Sequence, residues 1–228
     1  MKKAKLIFDY GLMLAVAILI NVFAILREQP FIKTLPMLIT LAVQLMLVRA
    51  SRYAFLLGGT NALLYGVAYF SEEVYFSFAS AVLISAPIQI YSFISWSKRM
   101  NRDQLPLRFL GLKKLAIAIG ITLAGWAICV FGLSELFSTA AYPALDSYLF
   151  VMGVTVSLLS AWGYIESQYL NVISCGLSVI LWALLTVRNP SNFNYIIINV
   201  YNFYRVIQIS VSWTLKYYGN KKESKAEV

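Results

Sequence analysis

The chain has 228 residues, of which 60% are apolar and only 13% charged, and its formal net charge is +9. So little polar surface cannot cover a water-soluble globule of this size, which excludes a soluble fold and leaves lipid as the solvent for most of the chain. A bilayer core of roughly 30 Å takes about 20 apolar residues per helix, enough here for seven or eight spans and no separate soluble domain.

The first predicted span, from Leu6 to Leu26, follows Lys2, Lys3 and Lys5. It is longer than the apolar part of a secretory signal and lacks a clear small-residue cleavage motif, so residues 1–30 read as a retained N-terminal transmembrane helix. Apolar runs between charged or turn-forming breaks then give Leu35 to Val48, Tyr53 to Phe70, Val74 to Trp96, Leu115 to Leu133, Ala144 to Trp162, Ser167 to Leu185, and Phe193 to Thr214. The second span is short and crosses only if the turn around Arg49 and Arg52 lies at the interface. Cys129 and Cys175 fall inside apolar segments of different helices, where a thiol behaves as a small hydrophobe. Neither a disulfide framework nor a metal site is expected.

With the N-terminus in the cytoplasm, fifteen of the nineteen Lys and Arg residues lie on the inner side, among them Arg49, Arg52, the basic loop Lys98 to Lys114 and the tail 215–228. Arg27, Lys33 and Arg188 fall outside with the loops holding Glu72, Glu73, Glu135 and Asp146, and Arg205 falls within a helix. The positive-inside rule therefore predicts a multi-pass protein of the cell membrane with both termini cytoplasmic. Topology and anionic lipid account for the excess of positive charge at inner helix ends, so nucleic acid is not an expected partner. Self-association into a homo-oligomer is compatible with this composition.

The fourth helix ends Ile90-Tyr91-Ser92-Phe93-Ile94-Ser95-Trp96 and the eighth ends Ile207-Gln208-Ile209-Ser210-Val211-Ser212-Trp213, with Ile, Ser and Trp at the same spacing. Each ending closes a set of three helices, 35–96 and 144–213, with one helix at 115–133 between the sets. Two consecutive triplets would point opposite ways unless an extra helix reversed the chain. The middle helix does so, and the arrangement implied is a parallel repeat about an axis along the membrane normal, with a solute pathway where the halves meet.

Gln168, Asn171, Cys175 and Ser178 recur at steps of three and four and so share one stripe of the seventh helix. An amide without a partner in hydrocarbon costs several kcal/mol, so this stripe faces either protein, as interhelical hydrogen bonding, or a wet pathway. On the eighth helix Tyr195, Asn199 and Asn202 form one stripe, and Tyr201, Arg205 and Gln208 an adjoining one. The first half offers Asn61 with Tyr65, and Ser85, Gln89, Ser92 and Trp96 near Pro87. Amides beside aromatic rings suit a nucleoside-like or heteroaromatic solute, and would also suit a sugar. Trp96, Trp162 and Trp213 sit at inner helix ends, where a headgroup belt is the competing role. A buried Arg205 costs at least roughly 2.5 kcal/mol, so it either binds the solute or reaches toward the inner headgroups.

Gly59-Thr60-Asn61-Ala62-Leu63-Leu64-Tyr65-Gly66, Ile90-Tyr91 through Trp96, and Leu145-Asp146-Ser147 followed by Ser157, Tyr164-Ile165-Glu166 and Trp182 together resemble the PnuC family of vitamin and nucleoside transporters over residues 35–215. The basic loop Lys98 to Lys114 adds to the resemblance. It implies an all-α, SWEET-like fold of two parallel three-helix units joined by one linker helix, with an added N-terminal helix. It also implies facilitated diffusion of nicotinamide riboside or a related nucleoside-like vitamin. Two departures bear on substrate: Gln168, Asn171 and Cys175 stand where the family carries a Trp-x-x-Trp-x-x-x-Asn pattern, and Ser92-Phe93 replaces Gly-Trp.

The chain has no histidine, no phosphate-binding Gly-x-x-x-x-Gly-Lys-Ser/Thr loop and no cluster of catalytic groups, and Asp9, Asp146 and Glu166 fall near predicted helix ends. An enzyme, an ATP motor and a proton-coupled pump are therefore disfavoured, and no cofactor is implied. The sequence predicts a uniporter for a small nucleoside-like molecule, with Asn61, Tyr65, Gln89, Trp96, Gln168, Asn171, Cys175, Asn199, Asn202 and Arg205 as its candidate binding residues. The alternative is a non-transporting membrane scaffold acting through the basic loop.

Overall fold

The computed structural model describes residues 2–99, 107–132 and 141–226. The middle of the basic loop, with Arg102, and the predicted outer loop at Glu135 lie outside them. The helices are α1 (Lys2–Leu26), α2 (Phe31–Val48), α3 (Tyr53–Ser71), α4 (Tyr75–Ala79), α5 (Ala86–Arg99), α6 (Leu112–Gly132), α7 (Pro143–Ala161), α8 (Glu166–Arg188) and α9 (Phe193–Ala226). A π-helical turn, Ser80–Ser85, joins α4 to α5 in one rod. Pro87, which has no N–H to give the carbonyl a turn behind it, follows that turn directly.

Among the described residues seven helices are long and apolar enough to cross a membrane, the α4–α5 rod counting as one. The eighth, α9, is the longest, and its Asn194, Asn199, Asn202 and Arg205 dilute its apolar content. Helices therefore stand at all eight predicted positions, seven of them candidate spans, and α2 begins at Phe31 rather than Leu35, which lengthens it to 18 residues. Large apolar side chains such as Ile7, Leu14, Ile117, Ile121, Phe131 and Val187 are exposed on the outside of the bundle, the face that lipid would cover.

Within the bundle α2 packs on α3 and α3 on α5, while α7 packs on α8 and α8 on α9. Between these sets α2 meets α9 and α5 meets α7; α1 lies against α2 and α9, and α6 against α7. The turns recur as well. After α2, Ala50 N–H donates to Leu47 O and Ser51 N–H to Met46 O; after α7, Gly163 N–H donates to Ser160 O and Tyr164 N–H to Leu159 O. Ala50 (φ 55°) and Gly163 (φ 81°) both take the left-handed conformation that ends a helix this way.

That end of the bundle, which carries Arg49, Arg52, Lys98 and Arg108, is closed by Phe55, Trp96, Ile165, Ile209 and Trp213. Trp96 Nε1 donates to Ser160 O on α7 (3.2 Å), and Trp213 Nε1 donates to Leu47 O on α2 (3.4 Å). Each indole therefore bonds the last turn of a helix in the other set, and the two rings lie 5.4 Å apart. Both are fully buried, which corrects their assignment to a headgroup belt; only Trp162 of the three is exposed. At the opposite end Lys33 pairs with Glu72 (3.0 Å) and Arg188 with Glu73 (2.8 Å). Asn192 Nδ2 donates to Glu72 (2.6 Å), linking the α8–α9 turn to the same cluster.

Candidate functional site

A cavity of about 310 Å³ lies between α3, the α4–α5 rod, α7, α8 and α9, a size that suits a small polar molecule. Its polar wall is made of amides and hydroxyls: Asn61, Ser77, Ser80, Ser85, Gln89, Ser174, Ser178 and Asn199, with the Cys175 thiol. None of its described lining residues is charged. Its aromatic wall is Tyr65, Tyr69, Phe150 and Trp182. Tyr65 and Tyr69 stack at 5.6 Å with 19° between planes, and Trp182 stacks behind on Tyr195 at 4.0 Å and 16°.

Several of these polar groups are held by neighbours. Asn61 Nδ2 donates to Thr40 Oγ1 (2.9 Å), and Thr40 in turn donates to the Pro36 carbonyl (2.8 Å). Asn61 Oδ1 is buried with no partner among protein atoms, a state that costs about 1–3 kcal/mol unless something supplies a donor. Ser178 Oγ donates to Asn199 Oδ1 (2.8 Å), while Asn199 Nδ2 donates to Tyr195 O (2.8 Å). Gln89 rests on Gly58: a Cβ there would fall 2.1 Å from Gln89 Oε1, so only glycine leaves that amide its seat.

Of the residues singled out in the sequence, Asn61, Tyr65, Gln89, Cys175 and Asn199 line the cavity, and Trp96, Gln168, Asn171, Asn202 and Arg205 do not. Gln168 is buried in the first turn of α8 beside Ser167, and Asn171 Oδ1 accepts the long contact from Cys175 Sγ (3.7 Å). The stripe is longer than the void, so its first half becomes packing. Asn202 Oδ1 is buried on α9 away from the cavity and has no partner among protein atoms.

Arg205 turns the other way, toward α1. Its Nη1 donates to Asp9 Oδ1 (2.6 Å) and Gln208 Oε1 (2.7 Å), Nη2 to Asp9 O (2.9 Å), and Nε to Tyr201 Oη (2.9 Å). Its partner is thus neither solute nor headgroup. Asp146, expected in an outward loop, is instead fully buried in the first turn of α7. It accepts from Phe76 N (3.0 Å), Ser77 N (3.2 Å) and Ser77 Oγ, capping α4 from the other helix set. Glu166 accepts from Leu110 N (2.8 Å) and Gly111 N (3.2 Å), pinning the segment that leads into α6.

Sequence reasoning missed Ser77, Ser80 and Tyr69 as wall residues, and placed Trp182 only through the family resemblance. The signal for the serines was a five-residue step from Ser80 to Ser85, which shares a face in a π turn and not in an α-helix.

Helices of membrane length packed about an uncharged cavity of amides and aromatics define a multi-pass membrane protein. The family of nicotinamide mononucleotide transporters matches residues 30–215, everything but α1 and the tail, and the chain belongs to that family. It is a transporter-family protein and not an enzyme. The chain is also similar to the crystal structure of the vitamin B3 transporter PnuC, with TM-score 0.79 over 92% of this chain and 91% of that one. At 16% identity this likeness establishes a shared fold. No curated protein matches the sequence.

Proposed function

We propose that the protein is a uniporter for a nucleoside-like vitamin, nicotinamide riboside or a close relative, bound in the central cavity. The observation that carries this reading is the cavity's make-up, stacked rings facing amides and hydroxyls without a charge. Rings take a heteroaromatic base, amides and hydroxyls take its edge and the ribose, and the phosphate of a mononucleotide would meet no cation there. Asn61, Tyr65, Gln89, Cys175 and Asn199, joined by Tyr69 and Trp182, are the proposed binding residues. Downhill transport fits because no carboxylate lines the cavity.

The basic end with Arg49, Arg52, Lys98 and Arg108 faces the cytoplasm on this reading, which puts both termini there. Helices α2–α5 and α7–α9 are two parallel units joined by α6, a reading supported by the recurring turns and the reciprocal indole bonds. Uptake of labelled nicotinamide riboside, thiamine, riboflavin and deoxynucleosides into proteoliposomes tests the function. Nicotinamide riboside is expected to enter without an imposed ion gradient, and Asn199→Ala to slow it about tenfold. Failure of all four classes to enter would overturn the proposal.

A further inference from the structure

Three walls of the cavity carry a side-chain oxygen with no proton left to give. On α4, the single hydroxyl proton of Ser77 goes to Asp146 Oδ1, and an ionised carboxylate offers none in return. Between α8 and α9, Asn199 of α9 must turn Nδ2 to the Tyr195 carbonyl, which can only accept; its Oδ1 therefore takes the one proton of Ser178 on α8. Thr40, on α2, gives its proton to the Pro36 carbonyl and also has Tyr65 Oη at 3.1 Å, so it accepts from Asn61 Nδ2 on α3, and Asn61 keeps Oδ1 unpartnered while 5% exposed. In each case the chain of bonds ends on an acceptor with no proton to give, and this end fixes the direction of every bond before it.

We infer that the cavity asks for hydrogen-bond donors at three points: Asn61 Oδ1, Ser77 Oγ and Ser178 Oγ have lone pairs alone to offer, so a solute must bring N–H or O–H groups to them. The inference rests on the transport reading above for the identity of the site, and deepens it. Thr40 and Asp146, neither of which lines the cavity, are the positioning residues that set this polarity. A carboxamide and ribose hydroxyls satisfy the requirement; a ketone or carboxylate in place of the carboxamide does not.

The test compares nicotinamide riboside with 3-acetylpyridine riboside, in which a methyl group replaces NH2 at equal size and charge. Binding to the purified full chain is measured by calorimetry beside uptake into proteoliposomes. The amide is expected to bind about tenfold more tightly than the ketone in the wild type. Thr40→Val keeps the packed volume but frees the Asn61 amide to turn, and Asp146→Asn returns a donor to Ser77. In both the amide-to-ketone ratio is expected to fall toward one, a change that loss of packing alone would not produce. Should Asp146→Asn fail to fold, Thr40→Val decides.

Equal binding of the two compounds by the wild type, or an unchanged ratio in Thr40→Val, overturns the inference and leaves transport standing. A tenfold binding preference without uptake supports the inference and overturns transport. Failure to bind either compound overturns the inference, and uptake of the four substrate classes then decides transport.

Discussion

Two buried polar regions of this bundle contrast. Around Arg205 every guanidinium nitrogen has a partner: the group meets Asp9, Gln208 and Tyr201, and both Tyr201 and Tyr204 lie within cation–π distance. Around the central cavity the groups are neutral, and Asn61 Oδ1 is left without a partner. A polar group deep in a membrane protein is costly in either place. Where its bonds are closed on the protein itself it ties helices together, and where they are left open it is available to a solute. Between these two regions the difference lies in the unmatched Asn61 oxygen rather than in polarity itself.

Substitutions can break or sharpen that contrast. The largest effect is expected from Arg205→Ala, which strands Asp9 in the interior; a loss of about 3–5 kcal/mol of stability should appear as a lowered Tm in detergent. Asp9→Asn combined with Arg205→Gln is expected to recover part of it, since no lone charge remains. In the cavity the effect moves from stability to transport. Asn61→Leu removes one bond to Thr40 and one unpartnered oxygen together, so stability should stay within about 1 kcal/mol of wild type. Its uptake rate is expected to fall about tenfold, and an equal loss of Tm and uptake would erase the distinction.

Smaller effects follow at the two ends. Trp96→Phe keeps the buried ring but gives up the bond to Ser160 O, and about 1 kcal/mol is expected from a melting curve. Trp213→Phe should cost a similar amount, because its bond to Leu47 O is the counterpart. Lys33→Ala breaks a mostly buried pair with Glu72, but Asn192 stays on that carboxylate, so the cost should be about 1 kcal/mol and only weakly dependent on salt.

The spans were legible because lipid forces each crossing into an apolar run, and nothing else in the chain competes with that signal. The cavity was legible only in part. Helical spacing located Asn61, Tyr65, Gln89, Cys175 and Asn199, since an α-helix repeats its face faithfully from turn to turn. It could not tell where along a stripe the void ends, so Gln168 and Asn171 were carried along with Cys175. It also missed Ser77 and Ser80, because the π turn shifts the register by a residue within one rod. Arg205 shows a different limit: its partner Asp9 lies on the helix most distant in sequence, and no local pattern links the two.

The crossed indoles constrain how the bundle can open. Trp96 holds the end of α7 and Trp213 the end of α2, and the rings rest on each other between them. Parting the helices on the basic side cannot release one bond and spare its counterpart. The seal behaves as a double latch, so access from that side is expected to come as a single two-state step rather than by gradual widening.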